Sequence, residues 1–348
     1  LISARLRPFT YIIVSAALFG ISAPVSKLLV SDIGPIALAG LLYLGAFLGL
    51  AVFRLIPFMK DGEETALKRS EVPYLIGSIV SGGVIAPILL MTGIVSVTGI
   101  ASSLLLNLEG VATALIAWLA FKEAVGKRTW TALALMTAAG VLLALETGGG
   151  ESSVLGAALI VLAMFFWGLD NNLTRKIAGT GPQRIALLKG LVAGTASLSL
   201  AFLLGQAPPL GTDLLAALLL GSLSYGASLV LFIMALDSLG SARTGAFFAL
   251  GPFIGAIVSI PLLGEVPHLV IVPAGVLMAA GAYLLLTEKH THLHWHPRVV
   301  HEHMHVHDAE HDHPHTEDLV EPHSHVHVHE AALHEHEHEH TGDEEDHH

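Results

Sequence analysis

The chain has 348 residues, no cysteine, 53% hydrophobic and 13% charged side chains, and a formal net charge of −12. A typical soluble domain is about 25% charged, so an ordinary soluble α/β enzyme is excluded; without cysteine, so are disulfides, iron–sulfur clusters and thiolate metal sites. Residues 1–288 carry 15 Lys and Arg against 14 Asp and Glu, while residues 289–348 carry 2 against 15 and hold 21 of the 22 histidines. The negative charge belongs to the tail, the body is near neutral with no basic stripe for nucleic acid, and lipid is the solvent that fits it.

A bilayer-crossing helix needs roughly 20 mostly apolar residues. Such stretches are predicted at 9–30, 35–57, 71–91, 98–120, 128–146, 153–173, 184–205, 212–236, 242–263 and 267–287. The first is not expected to be a cleaved signal peptide, because it contains Pro24 and Lys27 and another apolar stretch follows it. The runs are continuously apolar rather than alternating, which disfavours a β-barrel. Arg5, Arg7, Arg54, Lys60, Lys68, Arg69, Lys122, Lys127, Arg128, Arg175, Lys176, Arg184 and Arg243 fall on one side of these spans, and Lys27 lies near the other. Positive charge marks the cytoplasmic side. The expectation is a multi-pass protein of the cell membrane with both termini cytoplasmic.

The body repeats. Leu18-Phe19-Gly20 followed by Lys27 resembles Phe166-Trp167-Gly168 followed by Arg175, and the breaks Gly34-Pro35 and Gly181-Pro182 come next. Phe121-Lys122-Glu123 sits where Leu263-Gly264-Glu265 sits, and Ala138-Ala139-Gly140 matches Ala279-Ala280-Gly281. Five spans per half is an odd number, so the second half enters the membrane inverted, a construction used by secondary transporters. The predicted organisation is a first repeat over 1–146, a second over 147–288, and a His- and acid-rich cytoplasmic tail over 289–348.

On these residues, positions 9–287 resemble the EamA family of the drug/metabolite transporter superfamily. The resemblance implies an all-α membrane protein of ten helices in two inverted five-helix repeats, moving small organic solutes. The family often has a proline in the fourth helix of each half. The second half has Pro252; the first has Glu109-Gly110 there instead.

Ionisable groups inside apolar spans cost roughly 2.5–3.5 kcal/mol and persist where they meet a cavity or a partner. Glu109, in Asn107-Leu108-Glu109-Gly110, is the candidate proton- or cation-binding carboxylate; a neutral Glu bonded between helices is the alternative. Asn107 and Glu109 point about 200° apart on a helix, so one of them packs against a neighbour. Asp170, Asn171, Asn172 and Arg175 form the second candidate cluster, with Asp170 and Thr174 on one face and Asn171 and Arg175 on another. Amides and a carboxylate suit a polar solute or a hydrated cation; a network in the headgroup region is the alternative. Lys189 reads as snorkelling to the interface. Pro24 and Gly251-Pro252 break helices. Gly251, Gly255 and Ser259, and Gly190 with Gly194, read as close-packing stripes. Glu123 and Glu265 read as structural carboxylates that pair with Lys127 or Arg128 or cap the next helix.

The tail carries His294, His296, His301, His303, His305, His307, His311, His313, His315, His323, His325, His327, His329, His334, His336, His338 and His340 among acidic residues. Its composition predicts disorder. Imidazoles are ligands for Zn, Ni, Co or Cu ions, and at three or four per ion the tail has ligands for roughly five divalent ions.

No catalytic residue is assigned and the protein is read as no enzyme. The body has one histidine, His268, and the chain has no Gly-x-x-x-x-Gly-Lys-Ser/Thr motif for a nucleotide. The expected function is secondary transport of a small polar or amphipathic solute by alternating access, with no required cofactor. The alternatives are a divalent transition-metal transporter or a membrane-anchored metal buffer or sensor. The expected partners are the lipid bilayer, the solute and divalent ions on the tail; a homodimer is compatible with this reading.

Overall fold

The computed structural model describes residues 2–54, 67–122, 125–146, 151–177, 181–206, 210–286, 291–296, 299–305, 323–329 and 332–337. The body is helical. Its first half runs α1 Ile2–Gly20, α2 Ser22–Ile33, α3 Pro35–Arg54, α4 Val72–Ser78, the π-helix π1 Ile79–Ile85, α5 Ala86–Ile94, α6 Gly99–Leu105, α7 Leu108–Phe121 and α8 Lys127–Glu146. The second runs α9 Glu151–Arg175, α10 Pro182–Leu203, α11 Thr212–Gly221, the π-helix π2 Ser222–Ala227, α12 Ser228–Phe248, α13 Gly251–Leu263 and α14 Ile271–Leu286. Joined across their kinks, these give 8 helices long and apolar enough to cross a membrane among the described residues. The predicted fifth span is the 20-residue α8. The predicted tenth is a shorter apolar helix, Ile271–Leu285, and the two pack against each other.

The halves share their irregularities as well as their helices. The Gly-Pro breaks have positive φ at both glycines, 85° at Gly34 and 88° at Gly181. Each third span contains a π-helix in mid-course, π1 and π2. Each fourth span is broken by a turn, at Leu106–Asn107 and at Ala249–Leu250. Each fourth span also ends on a left-handed residue, Lys122 at φ 54° and Gly264 at φ 65°. Irregular backbone in the same order twice is the fingerprint of a repeated unit, and such backbone is tolerated inside a bilayer only where it is buried in protein or lines a cavity.

The halves are held by close helix crossings. The α3–α10 pair is one of them: a β-carbon at Gly190 would press on the Tyr43 carbonyl at 2.9 Å, and one at Gly194 on Leu44 at 2.8 Å. A β-carbon at Gly255 of α13 would collide with the carbonyl of Gly20. That carbonyl is freed because its ladder partner would be Pro24, which has no N–H. The small-residue stripes are thus packing surfaces. Ser15 and Ser228 lock α1 to α12 reciprocally: Ser15 Oγ donates to the Ser228 carbonyl (2.7 Å) and Ser228 Oγ to the Ser15 carbonyl (2.9 Å).

Glu265 does cap a helix, but one in the other half. The N–H groups of Gly99 and Ile100, in the first turn of α6, donate to its two carboxylate oxygens at 2.6 and 2.9 Å. Lys27 stands nearby, donating from Nζ to the Ile94 carbonyl at 2.8 Å. Glu123 lies outside the described residues.

A separate unit occupies Lys289–His340. Where the sequence predicts disorder, it carries four short strands: β1 Thr291–His296 pairs antiparallel with β4 Ala332–Glu337, and β2 Val299–His305 with β3 His323–His329. The β2–β3 register sets His301 opposite His327 and His303 opposite His325. Alternating His-x-His with interspersed valines has the two-residue period of a strand. His307, His311, His313, His315, His338 and His340 lie outside the described residues.

Substituting Gly255→Ala is expected to lower the unfolding temperature of the purified protein by several degrees, because backbone on a neighbouring helix occupies the space. Gly275→Ala, where a β-carbon meets nothing within 4 Å, is expected to leave it unchanged or to raise it, by about 0.5–1 kcal/mol. Thermal unfolding in detergent distinguishes the two.

Candidate functional site

Asp170 sits inside α9 with little of its surface exposed. It meets Lys189 of α10, whose Nζ donates to Oδ1 at 2.6 Å and Oδ2 at 2.7 Å. Ser78 Oγ donates to Oδ1 at 2.5 Å and Thr174 Oγ1 at 3.0 Å. Thr174 is the one-turn neighbour expected from the sequence. Lys189 does not snorkel. The packing of α10 against π1 and α3 turns its ammonium inward, where a buried carboxylate offers more than the interface does. The space Asp170 occupies exists because position 82 is glycine: a β-carbon there would overlap Asp170 Oδ2.

Glu109 opens α7 just past the break in the fourth span. Asn171 Nδ2 donates to its Oε1 at 2.8 Å and contacts Thr113 Oγ1 at 3.2 Å. Asn172, buried, donates to the carbonyls of Thr113 (3.0 Å) and Gly168 (2.8 Å), fastening α9 to α7. Asn107 faces away: it is buried, and its amide donates to the Leu104 carbonyl at 3.3 Å within its own segment. Arg175 is exposed at the end of α9. The structure therefore brings Glu109, Asp170, Asn171 and Asn172 together, while Asn107 bonds within its own segment.

Glu109 is within electrostatic reach of Asp170 and Lys189, and of Tyr43 and Tyr225. These groups come from α3, α9, α10 and π2. Glu109 is half-buried and Asn171 is exposed. The two tyrosines belong to a chain of aromatic contacts: Tyr43 and Tyr225 lie 6.0 Å apart, and Phe19 lies 6.1 Å from Tyr225 and 5.1 Å from Phe248. Tyr225 shares a hydrogen bond with Ser22, just past the break in the first span. Among the described residues Lys189 is the one cation in an ion pair with this group of carboxylates. Among residues whose side chains are described, no group of three or more His, Asp or Glu could hold a metal ion.

Sequence reading missed Ser78, Thr113, Lys189, Tyr43 and Tyr225. A signal for Lys189 was present: an unpaired cation in an apolar run, 19 residues after an equally isolated Asp170, invites pairing. The tyrosines carry no such mark, because an aromatic ring in a span reads the same at a cavity and at lipid.

The apolar helices, and the irregularities they repeat in the same order in each half, define a two-repeat helical membrane protein. The EamA-like transporter family matches this chain twice, over residues 7–145 and 154–287, and the chain belongs to that family. An uncharacterized transporter of Methanothermobacter thermautotrophicus is 28% identical over 298 residues, covering 81% of this chain and 86% of that protein. A solved crystal structure superposes with a TM-score of 0.56 at 16% identity, covering 81% of this chain and 95% of its own. That likeness supports the fold alone.

Breaking a buried ion pair by removing one partner costs about 3–5 kcal/mol, whereas removing both is far milder. Asp170→Asn and Lys189→Met are each expected to destabilise the protein more than the double variant does. A double-mutant cycle on thermal unfolding reads the coupling; additive losses would mean that the pair is solvated and energetically idle.

Proposed function

We propose that this protein is a secondary transporter of a small polar or amphipathic solute, working by alternating access of one space between the repeats 1–146 and 147–288. Glu109, with Asn171 beside it, is the group that meets a cation, a proton or a donor on the solute. Asp170 and Lys189 form the polar floor, and Asn172 fastens the helices that carry both. The observation that carries this reading is the Glu109 carboxyl just past a helix break, held by one amide and within electrostatic reach of groups from four other helices. A carboxylate there faces a low-dielectric surrounding, so its charge favours a counter-ion from the passing solute or a proton. Asn107 and Arg175 are assigned to structure and to the interface respectively. The excess of basic residues on one side supports a cell-membrane protein with both termini cytoplasmic.

Reconstituted into proteoliposomes and screened against a solute panel, wild-type protein is expected to give flux that Glu109→Gln and Asp170→Asn reduce at least about tenfold, the loss of one charged interaction of about 1.4 kcal/mol or more. If both variants move the same solutes at the wild-type rate across pH 5–8, these residues are packing polars and the assignment is wrong.

The histidines favour a second role, metal binding by the tail. The body offers oxygen and amide ligands, whereas dedicated sites for Zn, Ni or Cu usually present nitrogen or sulfur. Metal is therefore a regulator or a tethered store ahead of being the cargo. Full-length protein is expected to bind several divalent ions per chain at pH 7.5, and a chain ending at residue 288 none. Imidazole titrates near pH 6.5 and coordinates only when neutral, so binding falls as the pH drops and is lost by pH 5. Equilibrium dialysis with zinc measures this; binding indifferent to pH would remove histidine from the explanation.

A further inference from the structure

We propose that Pro87 is a positioning residue for the aromatic wall of the site, acting at a distance through the carbonyl of Gly82. This rests on the transport-site reading above. In π1 the backbone bonds run to the fifth residue: the N–H of Ala86 donates to the carbonyl of Ser81. The next bond in that series would come from position 87 to Gly82. Position 87 is proline and has no N–H to give. Gly82 is thus left with a carbonyl that the helix ladder cannot satisfy, in a setting without water to replace it.

Two side chains from two other helices take it. Tyr43 Oη–H of α3 donates to the Gly82 carbonyl at 2.6 Å, and Trp167 Nε1–H of α9 donates to it at 2.9 Å. A carbonyl has two lone pairs, so both are used. The two bonds fix the ring planes of Tyr43 and Trp167. Tyr43 in turn stands against Tyr225 across the space between the halves. The same glycine makes room for Asp170, so one residue sets both the charged floor and the aromatic wall. The device belongs to the first half alone. In π2 the corresponding bond runs from the N–H of Ser228 to the carbonyl of Leu223, and the next residue, Leu229, keeps its N–H.

Pro87→Ala returns the missing donor. The ladder then competes for the Gly82 carbonyl, and Tyr43 and Trp167 lose their shared acceptor. The test uses intrinsic fluorescence, with acrylamide as the probe. The chain has four tryptophans, and changing Trp118, Trp130 and Trp295 to Phe leaves Trp167 as sole reporter. In detergent-purified protein, Pro87→Ala is expected to shift the Trp167 emission and to raise its acrylamide quenching constant by about twofold, as the indole is released from its hydrogen bond. In the four-tryptophan protein, Pro87→Ala and Tyr43→Phe are expected to be non-additive in thermal unfolding, because both remove the same contact. An unchanged Trp167 signature with fully additive losses would reduce Pro87 to an ordinary helix residue and overturn the proposal. Should Pro87→Ala not accumulate, Tyr43→Phe and Trp167→Phe carry the test in the native-proline chain. Sharing one acceptor makes them non-additive, and additivity overturns the proposal equally. Failure of the transport reading would show as unaltered flux in Glu109→Gln and leaves these optical signatures untouched, so the two outcomes are separable.

Discussion

A bilayer interior supplies no hydrogen-bond partner, and most of what is unusual in this protein follows from that one restriction. Each departure from regular helix frees a carbonyl that must find a donor or a close neighbour inside the protein. Pro24 frees the carbonyl of Gly20, which faces Gly255 of α13. Pro87 frees that of Gly82, which takes the phenol of Tyr43 and the indole of Trp167. The turn at Leu106–Asn107 places Glu109 at the head of α7. The irregular backbone is therefore also the adhesive between helices, and polar groups gather beside it.

Charge obeys the same economy. Asp170 is fully engaged by Lys189, Ser78 and Thr174, while Glu109 has an amide and no cation in ion-pair contact among the described residues. One carboxylate is locked into the scaffold and the other is left to respond. The first half carries Glu109 where the second has Gly251, so the internal symmetry of the fold is broken at the residue with the most chemistry.

The apolar spans, the double repeat, the proline breaks and the small-residue stripes were all legible in the sequence, because each depends on local composition or on a local steric rule. Asp170 with Thr174 was legible for the same reason, being four apart on one helix. The partnership of Asp170 with Lys189 was not, since it depends on how α10 lies across π1. The π-helices themselves escaped notice. Ile79-Val80-Ser81-Gly82-Gly83 is an acceptable α-helical string, and nothing in its local composition marks the wider helix. The tail shows the converse problem. Its composition argues against a packed core, while its alternating pattern fits the short paired strands observed.

The carboxylate of Glu265 reaches from the end of α13 in one repeat to the first turn of α6 in the other. Charge-assisted bonds of this kind contribute about 1.5–3 kcal/mol each. Any motion that parts α13 from α6 at that end must break both, and at about 1.4 kcal/mol per factor of ten such a clasp acts as a brake, slowing the separation of those two helix ends.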